Sequence, residues 1–304
     1  MNAYTPKTIA QYLDMLKDAL KGADAALVQD ALYDAEEYLR SELAANPAVS
    51  EAELLAQIAG SYGDPEEVAD IYRNTEVTVQ KALAAPKKGD PSSPVKGFFA
   101  VALDPHTYGA LFYMLLSLAT GIFYFTWVSA GLSMSLGLMI LIIGIPFFIL
   151  FMASVYAISL VEGRLVETLL GERMPRRPLY QAKNRTWMDR IKGLFTDART
   201  WLSLMYMVLM LPLGTIYFTL AVTLLALSVG CVVGPVLWWL GEAGWISFHG
   251  HLHFGTGSLD PAIASPFMFV GGILLLFASL HIIRFVGRWH GRFAKHMLVP
   301  SGSD

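Results

Sequence analysis

Three histidines alternate along Trp245-Ile-Ser-Phe-His249-Gly-His251-Leu-His253-Phe254. In an extended segment alternate side chains point to the same side, so this spacing presents three imidazoles together. Imidazole is the commonest protein ligand for a metal and suits zinc, copper and nickel. Glu242 and Asp260 flank the run and bring carboxylates within reach of such a site. A divalent transition metal held by His249, His251 and His253 is therefore the cofactor this loop would take. The same residues also fit a surface loop whose aromatics lie at a membrane interface and whose histidines are solvated. A pH-sensing role for the same imidazoles is a third reading, and all three stand at the level of sequence.

Other reactive groups are sparse. His290 and His296 lie among Arg288, Arg292 and Lys295 and are expected to face anionic headgroups. Cys231 is the single cysteine and sits in an apolar run, so no intramolecular disulfide forms. The chain has no phosphate-binding Gly-x-x-x-x-Gly-Lys loop, no His-Glu-x-x-His, no nucleophile elbow and no kinase signature, which points away from an enzyme. No catalytic or cofactor-binding residues are assigned beyond the histidine loop. Residues 1–85 carry fifteen acidic and six basic side chains, a net of −9, while the rest of the chain is net +6. Nucleic acid is not an expected partner of so acidic a head.

The elements that must position these groups are membrane helices. Four stretches, about 108–130, 137–161, 201–230 and 266–287, are apolar enough and long enough to span a bilayer, which takes about 20 residues. The halves repeat each other. Val95-Lys96-Gly97-Phe98-Phe99, Asp104-x-x-Thr107-Tyr108, Tyr113-Met114, Gly121 and Tyr124-Phe125-Thr126 recur as Ile191-Lys192-Gly193-Leu194-Phe195, Asp197-x-x-Thr200-Trp201, Tyr206-Met207, Gly214 and Tyr217-Phe218-Thr219. A second pair matches Glu162-Gly163-Arg164 through Leu170 with His290-Gly291-Arg292 through Leu298. A duplicated transmembrane hairpin is the expectation, with a short turn at Gly131–Gly137 in one copy and an expanded loop at 241–265 in the other.

Charge placement gives the orientation. Arg164, Arg173, Arg176, Arg177, Lys183, Arg185, Arg190, Lys192 and Arg199 lie between the hairpins, and Arg284, Arg288, Arg292 and Lys295 follow the last span. The two opposite loops hold no Lys or Arg, so both termini are expected in the cytoplasm and the repeats are parallel. With the first apolar run about a hundred residues in, no cleavable signal peptide is expected. No Asp, Glu, Lys or Arg falls in the middle of a span, which argues against an ion-coupled carrier. Ser117-x-x-x-Gly121 would let two helices approach closely, and Pro212 with Gly214 is expected to kink the third span. Trp187, Met188, Ile191, Leu194 and Phe195 share one face of a helix that carries Arg190 and Lys192, so Trp187, Arg190, Lys192 and Phe195 are expected at the membrane interface. The bases of this linker also suggest electrostatic docking of the acidic head.

Residues 5–83 predict four helices. The first starts at Thr5-Pro6 and buries Ile9, Tyr12, Leu13, Leu16 and Leu20. The second runs from Asp24 to about Leu43, and Ser50-x-x-Glu53 is a capping box that opens the third. Gly63-Asp64-Pro65-Glu66-Glu67 supplies an N-cap, a first-turn proline and two acids suited to the dipole of the fourth.

Two resemblances follow from these motifs. Tyr12-Leu13-x-x-Leu16, Glu36-Glu37-Tyr38-Leu39 and Gly60-Ser61-Tyr62-Gly63-Asp64-Pro65-Glu66-Glu67-Val68-Ala69 resemble the HAAS domain, a small helical signalling module of bacterial membrane proteins and regulators. That resemblance implies a partner-binding role for Asp64, Pro65, Glu66 and Glu67. Phe195-x-Asp197-x-x-Thr200-Trp201, Tyr206 and Leu211-Pro212-Leu213-Gly214 resemble the four-helix sensor domain at the N-termini of actinobacterial histidine kinases, over about 95–299. The first repeat departs from it by carrying Ala119 where the proline would stand.

The expected fold is all-α: a small cytoplasmic helical domain (1–85), a linker (86–94), a first hairpin (95–171), a basic linker (172–190) and a second hairpin (191–299), the hairpins forming one four-helix transmembrane bundle. The expected function is a non-enzymatic, multi-pass sensor of the bacterial inner membrane that passes a membrane or extracytoplasmic cue to a cytoplasmic regulatory protein. The lipid bilayer and a second copy of the chain are its other expected partners. The alternative is an accessory or permease-like subunit of a transport system, with a wide cavity between the repeats.

Overall fold

A computed structural model describes residues 6–47, 49–58, 62–83, 98–140, 143–175, 198–246 and 260–299. Among these the fold is all-α, without a strand. The helices are α1 (Ile9–Ala19), α2 (Ala25–Ala45), α3 (Glu51–Ile58), α4 (Pro65–Leu83), α5 (Pro105–Met139), α6 (Gly144–Leu170), α7 (Ala198–Glu242) and α8 (Pro261–Leu298), with one 3₁₀ turn at Ala100–Leu103. The last four are long and apolar enough to cross a membrane. Even the shortest, α6 with 27 residues, extends about 40 Å at 1.5 Å per residue, beyond the roughly 30 Å of a bilayer's hydrocarbon. Phe112, Ile122, Phe123, Ile216, Leu227, Val270 and Phe285 lie exposed on these helices. So much apolar surface is stable only against lipid or protein.

The chain divides into two compact units. One comprises Met1–Ala84, Ala130–Tyr206 and Gly291–Asp304; the other comprises Ala85–Ser129 and Met207–His290.

In the first unit α1–α4 close around a core of Leu16, Leu20, Ala31, Leu39, Leu54, Ile58 and Val68. Local capping chemistry sets their ends. Thr8 accepts from the Gln11 amide and starts α1 three residues later than Thr5-Pro6 suggests. Asp24 accepts from the Ala26 amide at 2.9 Å. Ser50 and Glu53 form the reciprocal capping box, with Ser50 N–H donating to Glu53 at 3.1 Å and Glu53 N–H to Ser50 at 3.4 Å. Ahead of α4, Tyr62 stacks on Tyr38 at 4.4 Å between ring centroids, and the Tyr12 hydroxyl donates to the Gly63 carbonyl at 2.9 Å. Burial, with Asp34 and Tyr38 beside it, pushes the Tyr62 phenol up to about 12.

The turn between α5 and α6 corrects an expectation. Gly131–Gly137 is helical, and α5 ends only at Met139. Gly131 marks packing here: a Cβ on it would lie 2.1 Å from the Phe151 ring.

In the second unit α5 and α7 cross backbone to backbone. A Cβ on Gly121 would stand 2.4 Å from the Met210 carbonyl oxygen, and one on Gly214 would stand 2.1 Å from the Ser117 carbonyl oxygen. Each glycine thus faces the residue four positions before the other. The contact is reciprocal, and glycine is required at both places because any side chain would occupy the neighbouring main chain. Ser117, fully buried, donates its hydroxyl to the Met114 carbonyl at 2.7 Å and leaves the crossing free of polar groups lacking a bond. The helix α7 runs on through Pro212 and Pro235. Ser228 and Ser279 join α7 to α8 at 3.2 Å, and Trp239 donates to Ser265 at 2.9 Å. At the start of α5, Asp104 accepts from the His106 amide at 3.0 Å and pairs with Arg284 at 2.5 Å.

Candidate signalling junction

The chain leaves α6 through Gly171, whose φ of 75° is left-handed and closes the helix. That turn places Arg173 between the head and the end of α6. Its Nη2 donates to Asp30 Oδ2 on α2 at 3.0 Å and its Nε to Glu76 Oε2 on α4 at 3.2 Å. Its Nη1 donates to the Met174 carbonyl at 2.9 Å and to Glu167 Oε1 on α6 at 3.4 Å. The guanidinium is 9% exposed, Asp30 and Glu76 are each 7% exposed, and Glu167 is 6% exposed. Burial works against the charge of Arg173, but Glu76, Asp30 and Glu167 outweigh it and raise its pKa. Only arginine offers a planar fork that serves acceptors on three helices at once. A second ionic link, from Lys295 at the end of α8 to Asp24, fastens the start of α2.

The segment carrying Arg173 rests on the two glycines of the repeated Gly-Arg motif. Met174, fully buried, lies 3.6 Å from where a Gly163 Cβ would be, and Glu172 lies 2.6 Å from a Cβ at Gly291. Beside Gly163, Glu162 is 1% exposed and accepts a hydrogen bond from the Tyr206 hydroxyl at 2.8 Å. The equivalent pair in the second unit is His290 with Tyr113. Tyr113 Oη stands 2.6 Å from His290 Nε2, and Tyr217 Oη stands 3.2 Å from Nδ1. A neutral imidazole donates to one phenol and accepts from the other; the charged form donates to both. His290 is fully buried. This corrects the expectation that it faces headgroups: Ile283, Gly287, Ala294 and Met297 are buried on the same side of α8, while Arg288 and Arg292 are exposed.

The other sequence-derived candidates fall as follows. Asp64, Glu66 and Glu67 are exposed at the start of α4, and Pro65 is buried as its first residue. His249, His251 and His253, and the interface residues Trp187, Arg190, Lys192 and Phe195, lie outside the described residues. No group of three or more metal-ligating side chains occurs among the described residues. Of the nine bases between the hairpins, Arg173 is the one that the described contacts place against the head, and Arg164 pairs with Glu167 at 3.2 Å.

Sequence reasoning missed Tyr113, Tyr206, Glu162 and His290 as partners, although the repeat contains the signal. Tyr113 and Tyr206 occupy matching positions, as do Glu162 and His290, and each tyrosine meets the polar residue of the other repeat.

Four helices long and apolar enough to cross a membrane, with an ionic link from the end of α6 to a helical domain, fit a polytopic membrane protein. A family model described as "Putative sensor" matches residues 113–298, more than half of the chain. The chain belongs to this sensor family. Comparison with curated proteins and with solved structures gave no match.

Proposed function

We propose that this chain is a non-enzymatic sensor of the bacterial inner membrane that relays a cue, arising in the bilayer or beyond it, to a cytoplasmic regulatory protein through a HAAS-like head. Both termini and the basic linker lie in the cytoplasm in this reading, following the Lys and Arg distribution. Asp64, Glu66 and Glu67, exposed at the start of α4, face the partner.

The observation that carries the reading is the Arg173 junction. A buried ion pair adds little stability over an apolar contact of the same shape, and its best attested use is to fix one arrangement among alternatives. A head held by charge at the foot of a membrane helix is suited to being released. The transport alternative needs room between the repeats, whereas Gly121 and Gly214 bring α5 and α7 into backbone contact.

The relay is tested on the full chain in lipid discs by hydrogen exchange of α2 and α4, comparing wild type with Gly214→Leu, which wedges the crossing open. Faster exchange around Asp30 and Glu76 is expected. Unchanged exchange in the head of a correctly inserted variant would show that it does not hear the membrane half.

A further inference from the structure

Asp30 and Glu76 sit on different helices of the head and share one guanidinium, at 3.0 and 3.2 Å. Arg173 also meets Glu167, which Arg164 reaches as well. The geometry of the two head carboxylates suits a flat fork donating along two edges, and a lysine would reach both less well. A divalent cation needs several oxygens converging at about 2.0 to 2.6 Å, and the described residues hold no such cluster. An anionic bilayer surface would be repelled by a head of net −9.

We infer that Asp30 and Glu76 form an arginine-reading site for a basic polypeptide partner, and that Arg173 occupies it as an internal competitor that keeps the head closed. The inference deepens the relay reading and rests on it: release of Arg173 by the membrane half is what would bare the site. Arg173 belongs to the segment seated on Gly163 and Gly291, so a shift of α6 against the end of α8 would pull it from the head. The partner then presents an arginine where Arg173 was, and the strong negative charge around the site speeds its approach.

The test uses the full chain in discs of zwitterionic lipid and, as probe, a synthetic helical peptide carrying four arginines, with a lysine version as comparison. Arg173→Gln should bind the arginine peptide at least tenfold more tightly than wild type, because the site's apparent affinity is reduced by the fraction of chains in which it is closed. The lysine peptide should gain less. Adding Glu76→Gln to Arg173→Gln should remove the gain. Equal binding by wild type and Arg173→Gln, or a gain that survives Glu76→Gln, overturns the inference.

A second arm leaves Arg173 in place. Asp24→Cys with Lys295→Cys, in a Cys231→Ser background, allows a short bismaleimide to lock the Lys295 contact. The locked chain should bind the peptide at least tenfold more weakly than the unlocked one, and equal binding overturns the inference even where Arg173→Gln fails to fold. A head that responds to the Gly214→Leu wedge but ignores the peptide sinks the arginine site and leaves the relay. Peptide binding with a head deaf to the wedge does the reverse.

Discussion

Replacing Gly214 by Ala places a methyl 2.1 Å from the Ser117 carbonyl oxygen and 2.7 Å from its carbon. Ordinary van der Waals contact begins near 3.4 Å, so α5 and α7 must part by more than 1 Å, and neither partner atom is a flexible side chain that can swing away. Overpacking of this kind costs about 1–3 kcal/mol, and a parted crossing also loses the dispersion contacts around it. Gly121→Ala should cost a similar amount, since its methyl would lie 2.4 Å from the Met210 carbonyl oxygen. The crossing is reciprocal, so separation forced by one methyl makes room for the other. The double variant should therefore fall short of the sum of the singles by about 0.5–3 kcal/mol. Gly230→Ala, with nothing within 4 Å, is the matched control and should melt like wild type. Reversible unfolding in mixed micelles, followed by tryptophan fluorescence, reads all four. Wild-type stability for Gly214→Ala, or strict additivity of the pair, would refute the close crossing.

Arg173→Met should destabilise the chain by about 3–5 kcal/mol, because it removes the cation shared by buried carboxylates, and combining it with Asp30→Asn, Glu76→Gln and Glu167→Gln should restore most of the loss; thermal unfolding in detergent checks both. Tyr206→Phe removes a hydrogen bond to buried Glu162 and should cost about 1–3 kcal/mol, again by thermal unfolding. The head should lose stability at alkaline pH. Its Tyr62 phenol is pushed up to about 12, and Tyr12 and Tyr72 are pushed higher still, chiefly by burial. An unfolded tyrosine titrates near pH 10. The stabilisation is therefore complete below about pH 10 and lost as pH climbs through about 12. Tyrosinate absorbance and helical circular dichroism recorded together should show ionisation and unfolding in one transition.

Much of this architecture is legible because local signals are strong where the chain must change direction. Asp24 and the Ser50–Glu53 box mark helix starts that the hydrogen bonds bear out. Thr5-Pro6 misleads for the same reason it attracts, since Thr8 offers an equivalent cap one turn later. Gly131 resembles a turn residue until the Phe151 ring is seen filling its missing side chain. His290 is misplaced by reading its charged neighbours in sequence; the helical period sets it with Ile283, Gly287, Ala294 and Met297 on the buried face. Arg173 is beyond sequence reasoning of this kind. The bases that orient the spans are interchangeable for that purpose, and only tertiary packing decides which of them meets Asp30 and Glu76.

The central claim is that Arg173 holds the head to the foot of the membrane helices. Spin labels on exposed Thr78 of α4 and on Arg292, whose side chain is 78% exposed at the end of α8, report the distance across this junction. Pulsed dipolar spectroscopy in lipid discs should give one narrow distribution for the Arg173 chain and a broad one for Arg173→Gln. A broad distribution in the chain that retains Arg173, or an unchanged narrow one in the variant, would contradict the account.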